Sequence, residues 1–310
     1  MTYKQHFLIL ILLLVTSSCY RHGAKQEEMP KVLYYGISTL EEDPDLALHR
    51  HDPIKEYIEK ETGLKVKIVM TSGYASLIEA LKSKKVDICS MGAFSYIIAA
   101  DRAGVEAIAT LGTLDGKQRT YNSIMITNVN KPIYSLEDVM ENASQYTIAF
   151  SDPASTSGHL IPKSYLKSIG LEPGSSFKEE VFATSHGAVV MTTLSGKIDI
   201  GCCSLNTFTR LTATNKINPN DFRILWTSDP IIYSGVAVRK DLPPTLKEEI
   251  ARAFTSFRFE NPDGWGQYAS RIQKSTGVSS DSLTYIPAYD SMYNYLRDIS
   301  TEFNIYEFIK

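Results

Sequence analysis

The feature that most constrains this chain is a recurring alternation of short apolar runs with segments of helical periodicity. Lys31 to Ser38 reads as a strand, and His51 to Glu61 places Ile54, Tyr57 and Ile58 on one helical face before stopping at Gly63. Val66 to Met70 is a second strand, Tyr74 to Lys82 a helix carrying Leu77, Ile78 and Leu81, and Val86 to Met91 a third strand. A second series starts at Tyr146: a strand through Phe150, a helix to Ser168, strand Val181 to Ala183, helix Ala188 to Leu194, and strand Ile198 to Cys202. Such alternation predicts an α/β fold of two open sheets, with parallel strands and right-handed crossovers. Ligand sites in sheets of this kind lie at the carboxyl ends of the strands, so two facing sheets make a cleft.

Between the series, Ala107 to Leu111 and Ser123 to Thr127 read as strands flanking the polar stretch Asp115 to Arg119. After Trp226 the chain returns through Val236-Ala237-Val238 to helices from Pro244 to the end, and no further strand–helix alternation is read beyond residue 240. The expected organisation is a discontinuous first lobe of 31–117 and 227–310, and a second lobe of 118–226. The crossovers, Lys117 to Asn122 and Trp226 to Ser234, are the expected hinge.

A chain of 310 residues accommodates two such lobes. Its net charge of −3 gives no reason to expect nucleic acid as a partner. The first residues read as a processing segment: Lys4 and His6 precede the apolar run Phe7 to Val15, and Thr16, Ser17 and Ser18 lead to Cys19. Residues 1–18 are therefore expected to be a signal peptide and 19–30 a polar tether. A cysteine directly after such a signal resembles a bacterial lipoprotein signal, in which Cys19 would carry lipid. Cys89, Cys202 and Cys203 each sit in an apolar strand-like run and are expected to be buried thiols, and no Cys/His spacing calls for a metal.

The chemistry concentrates in Ser151-Asp152-Pro153-Ala154-Ser155-Thr156-Ser157-Gly158-His159, a turn between a buried strand and a helix. Three consecutive hydroxyls at a helix start gather O–H donors and free backbone N–H groups where the helix dipole favours negative charge. An oxyanion satisfies such a cluster; an ordinary capping turn would need no ligand. His159 is expected at the surface or within the helix.

Several local patterns also come in one order: Tyr34-Tyr35-Gly36-Ile37-Ser38, Thr71-Ser72-Gly73-Tyr74, Val86-Asp87-Ile88 before Gly92-Ala93-Phe94-Ser95-Tyr96, the hydroxyl turn with Pro162, Ser185-His186-Gly187-Ala188 before Gly196-Lys197-Ile198-Asp199, and Val238-Arg239-Lys240-Asp241-Leu242-Pro243. Over residues 31 to 290 the chain resembles the phosphate/phosphite/phosphonate-binding proteins of ABC importers, with the two-lobe type II periplasmic-binding-protein fold. The resemblance implies an extracytoplasmic monomer without catalytic residues or cofactor, which closes on a small oxyanion and delivers it to a membrane permease. It assigns ligand contacts to Ser155, Thr156, Ser157, Tyr74 and His186. Another binding tyrosine of some members falls at Met91, with Tyr96 as its possible substitute. Where amino-phosphonate binders place two carboxylates for the ammonium, this chain has Asn206 and Ser234, so a ligand without an amine is expected.

Two other readings arise. A ligand-presenting lobe for a sensor or chemoreceptor would share the fold. A secreted hydrolase using Ser155 or Ser157 with His186 and Asp152 would need a nucleophile standing beside a base, and no Gly-x-Ser-x-Gly or Ser-x-x-Lys pattern is present.

Overall fold

The computed structural model describes residues 29–38, 44–233, 235–276 and 280–303. The signal peptide, Cys19, most of the tether and Ser234 lie outside the described residues.

Among the described residues thirteen strands run in chain order: β1 Val32–Ser38, β2 Lys65–Thr71, β3 Ile88–Met91, β4 Val105–Thr113, β5 Thr120–Tyr121, β6 Ser123–Asn128, β7 Thr147–Phe150, β8 Glu179–Phe182, β9 Ile200–Ser204, β10 Phe222–Thr227, β11 Ile231–Ile232, β12 Gly235–Arg239 and β13 Leu283–Pro287. They form a six-stranded sheet, β13-β4-β12-β3-β1-β2, a five-stranded sheet, β10-β6-β9-β7-β8, and a two-stranded ribbon of β5 with β11.

Each large sheet has a parallel block running to one edge, β3-β1-β2 in one and β9-β7-β8 in the other. These are the parallel strands expected from the alternation; beyond them, β12, β4 and β13 pair antiparallel on one sheet, as do β6 and β10 on the other. Returning chains enter each sheet against the direction of its βαβ core. The two crossover segments lie side by side as the ribbon, with Tyr121 opposite Ile231 and Thr120 opposite Ile232.

Both faces of each sheet are covered, which explains why the strands read as near-continuous apolar runs. On the larger sheet, Leu33, Tyr35 and Ile37 pack with Phe254, Phe257 and Trp265 from helices Pro244–Glu260 and Pro262–Thr276. The opposite face meets Leu77 and Leu81 of helix Tyr74–Lys82, Phe94 and Ile97 of helix Ala93–Ala103, and Leu296 of helix Asn294–Glu302. Burial of each such side chain contributes about 1.5–3 kcal/mol. In the smaller sheet Ile148 and Phe150 face one core and Ala149 the other. Cys202 and Cys203 divide in the same way, so period-2 geometry points the adjacent thiols to opposite faces. Cys89, Cys202 and Cys203 are buried free thiols.

Two matched devices fix where the parallel strands begin. Asp87 accepts the Tyr34 N–H at 2.8 Å and pairs with Arg239 Nη2 at 2.9 Å, tying the approach to β3 to β1 and to the end of β12. Asp199 accepts the Thr147 N–H at 2.8 Å and the Lys131 ammonium at 2.6 Å, doing the same for β7 and β9.

Three elements differ from expectation. The first helix runs Pro44–Thr62 with Pro53 inside it, its packed face of Ile54, Tyr57 and Ile58 outweighing the hydrogen bond that Pro53 lacks. Helix Ala93–Ala103 buries every residue from Ala93 to Ala100, so it carries no polar stripe for periodicity to reveal. The C-terminal region contributes an edge strand, β13, antiparallel to β4, where only helices were expected.

Candidate ligand-binding site

The carboxyl ends of the parallel strands meet at one cleft, a cavity of about 240 Å³. Met91 and Gly92 follow β3, the hydroxyl turn follows β7, His186 opens the helix after β8, and Asn206 the helix after β9; all line the cleft.

The hydroxyl turn is shaped by its own backbone. Ser155 is the N-cap, its Oγ accepting the Gly158 N–H at 3.0 Å, and the first turn, Thr156–Leu160, is π-type before the α-helix Ile161–Ser168. N–H groups in that first turn have no acceptor within the helix. Asp152 holds the approach, with its Oδ1 accepting from Ala154 N–H at 2.7 Å. Ser157 is anchored through its carbonyl, which accepts the Ser123 hydroxyl at 2.6 Å. Gly158 is obligatory: an added Cβ would lie 1.8 Å from Ser151 Oγ and 2.7 Å from His186 Cε1. Its smallness lets the turn and the His186 ring pack together.

The six-stranded half closes onto this turn. Phe94 N–H donates to Thr156 Oγ1 at 2.9 Å, and the Ser95 hydroxyl donates to the Ala154 carbonyl at 2.8 Å. Tyr74 approaches the same point: a Cβ on Gly92 would sit 3.4 Å from Thr156 Oγ1 and 4.0 Å from the Tyr74 hydroxyl. Tyr74, Ser155, Thr156, Ser157, His186 and Asn206 thus line one cleft.

Ser204 N–H donates to His186 Nδ1 at 3.2 Å, so the proton of the neutral ring sits on Nε2 and that nitrogen is the donor. Asn206 Nδ2 donates to the Tyr233 hydroxyl at 2.8 Å, and the Tyr233 ring stands edge-on to Tyr121 with centroids 5.2 Å apart.

Tyr121 is one of the cleft tyrosines that sequence reading missed, with Tyr233, Tyr268 and Tyr285. Burial pushes its phenol up, while hydrogen bonds from Ser157 and Thr156 pull the other way. Its only local signal was a place in a polar crossover.

Tyr96 is corrected: it belongs to the core. It is 1% exposed, packs on Tyr293 with centroids 4.5 Å apart, donates to Asp290 Oδ1 at 2.6 Å and accepts the Ala107 N–H at 3.2 Å. One helical turn beyond Gly92 takes its hydroxyl away from the cleft. His159, expected at the surface or within the helix, lies within the helical turn Thr156–Leu160 and is fully buried between Phe150 and Phe182, with Nδ1 2.7 Å from the Pro153 carbonyl.

Among the described residues that line the cleft there is no Asp or Glu, and there are two arginines, Arg50 and Arg210. No three His, Cys, Asp or Glu side chains gather as metal ligands among the described residues.

Two open α/β sheets, joined by paired crossovers and closing on a shared cleft, define a type II periplasmic binding protein. Residues 38–281 match the family described as ABC transporter, phosphonate, periplasmic substrate-binding protein, and the chain belongs to that family. It is 29% identical over 234 residues to the phosphonates-binding periplasmic protein of Escherichia coli, covering 76% of this chain and 68% of that one. It is 26% identical over 238 residues to a phosphate-import protein of Mycolicibacterium smegmatis, covering 74% and 72%. Its fold is similar to that of an ABC phosphonate transporter binding protein from Pseudomonas aeruginosa, with a TM-score of 0.76 at 24% identity over 89% of this chain and 87% of that one. A Prochlorococcus marinus protein in complex with methylphosphonate gives a TM-score of 0.74 at 19% identity over 89% and 99%. The chain is a ligand-binding component of an ABC importer.

Proposed function

We propose that this protein is an extracytoplasmic lipoprotein, tethered through Cys19, that captures phosphate, phosphite or a small amine-free phosphonate and presents it to its permease. Its lobes are 31–117 with 227–310, and 118–226, hinged at the ribbon of β5 and β11. The observation that carries the reading is the convergence of Tyr74 from one sheet's helices with Thr156 and His186 from the other's. O–H and N–H donors converge there without a carboxylate among the described lining residues, which suits an oxyanion and penalises a buried ammonium. Phosphonate and phosphate relatives share the oxyanion chemistry.

Closure follows from contacts that exist only when both halves reach the ligand. The Phe94–Thr156 and Ser95–Ala154 bonds would latch that closed state. Hydrolysis is not favoured: the Ser155 hydroxyl is engaged as a cap and Asp152 with a backbone N–H. We infer that the protein acts as a monomer, without a metal or cofactor.

Titration calorimetry with phosphite, phosphate and methylphosphonate tests the reading. Binding of at least one, lost or strongly weakened in Thr156→Ala, is expected; no heat with any of the three overturns it. Mass analysis of lipid on Cys19 in the exported protein tests the anchor.

A further inference from the structure

Every main-chain carbonyl of the hydroxyl turn from Asp152 to Gly158 is engaged. Those of Asp152, Ser155, Thr156 and Gly158 accept main-chain N–H groups. The other three take side chains: Ser157 from the Ser123 hydroxyl at 2.6 Å, Ala154 from the Ser95 hydroxyl at 2.8 Å, and Pro153 from the His159 ring at 2.7 Å. A carbonyl oxygen carries partial negative charge, so an anion cradle works only while its carbonyls are held in other bonds.

The Pro153 bond comes from a ring that reaches no ligand. A carbonyl only accepts, so the neutral His159 ring carries its proton on Nδ1. Burial and the Lys163 charge both keep that ring neutral. Its Nε2 is buried with no hydrogen-bond partner among the described residues. Phenylalanine would fill the same slot, at 5.3 Å from the Phe150 centroid and 5.0 Å from that of Phe182, without leaving a buried nitrogen unpaired. What the imidazole adds is the hold on one carbonyl. That oxygen belongs to the Pro153–Ala154 peptide, whose N–H donates to Asp152 Oδ1 at 2.7 Å, so a single peptide plane is gripped at both ends. The next carbonyl along, that of Ala154, is the contact with Ser95 of helix Ala93–Ala103 in the six-stranded half.

We propose that His159 is a positioning residue of the binding site: it fixes the Pro153–Ala154 peptide, which sets the Ala154 carbonyl for Ser95 and holds the Ser155, Thr156 and Ser157 hydroxyls in place for the anion. The proposal rests on the oxyanion reading of the turn and adds to it a residue that touches no ligand. Without the imidazole donor the plane is free to rotate, which displaces Ala154 and releases a carbonyl oxygen beside the cradle.

The test separates the donor from the packing. Asparagine places a side-chain N–H near the position of histidine Nδ1 but leaves part of the slot empty, whereas phenylalanine fills the slot and lacks the donor. Calorimetry with phosphite and methylphosphonate on the full mature chain should show binding about tenfold weaker in His159→Phe and within about threefold of the parent in His159→Asn. Denaturant unfolding should give the opposite order, with the asparagine variant the less stable. Combining His159→Phe with Ser95→Ala should weaken binding by less than the product of the two separate effects, because both act through the Ala154 carbonyl. Nitrogen NMR of the parent should place the His159 proton on Nδ1, a measurement that decides even if a variant folds poorly. Parent affinity in His159→Phe, affinities that follow stability, independent effects of the two substitutions, or a parent ring protonated on Nε2 would each overturn the positioning role and leave the oxyanion reading intact. Failure of the parent to bind phosphite, phosphate and methylphosphonate overturns both.

Discussion

Thr156 and Phe94, 62 positions apart, are joined by a 2.9 Å hydrogen bond from the Phe94 main-chain N–H to the Thr156 hydroxyl oxygen. Its oxygen accepts from one half of the molecule, and the hydroxyl also bonds the Tyr121 phenol. On the anion role proposed for Thr156, ligand binding and contact between the halves share one atom. Thr156→Val should leave the Phe94 N–H unsatisfied and remove a ligand donor. A loss of about 1.5–3 kcal/mol in binding free energy is expected for a bond to a charged group. Calorimetry showing parent affinity would separate the two halves' contact from the ligand site.

Gly158→Ala should be among the most damaging single-atom additions, because the new methyl overlaps Ser151 and the His186 ring. Overpacking of this kind costs about 1–3 kcal/mol. Denaturant unfolding should show that loss, and anion affinity should fall through displacement of His186. Unchanged stability with unchanged binding would mean that the turn opens freely.

The His186 tautomer is a direct spectroscopic prediction. Since Nδ1 accepts from Ser204, nitrogen NMR of the anion complex near pH 8 should show the proton on Nε2. A ring protonated at Nδ1 instead would remove His186 as a donor to the ligand.

His159 links the turn to acid stability. Burial holds its imidazole down at about 3, with the Lys163 charge adding to the effect, against about 6.5 for an exposed ring. The unfolded chain therefore binds a proton that the native chain refuses. Its contribution is present above about pH 6.5 and falls with pH until about 3, by up to about 1.4 kcal/mol per pH unit. Urea unfolding between pH 7 and 5 should lose this slope in His159→Gln relative to the parent; parallel profiles would place the titrating group elsewhere.

Selectivity against amines is the outcome expected from a neutral side chain at Asn206. Asn206→Asp keeps the shape beside Tyr233 and supplies a counter-charge. It should raise affinity for 2-aminoethylphosphonate relative to methylphosphonate by about tenfold, the worth of one charge-assisted bond. A competition assay in which the parent already prefers the amine would overturn the amine-free reading.

The linear sequence determined the repeated strand–helix order, the boundaries of helix Tyr74–Lys82, and the hydroxyl turn, since periodicity and capping chemistry are local. It also contained Asp87 and Arg239, whose partnership depends on the sheet order. Tertiary structure decided which tyrosines face the cleft. A tyrosine has an apolar body and a polar tip, so Tyr96 and Tyr121 look alike in sequence. Packing turns one hydroxyl to Asp290 and places the other beside Ser157. Arg50 and Arg210 lie 160 positions apart, and only the facing of two sheets brings helices from both halves to one cleft. Local pattern specifies which face of an element is apolar, whereas the partner of that face is a long-range choice, and so is everything that a cleft between two sheets can hold.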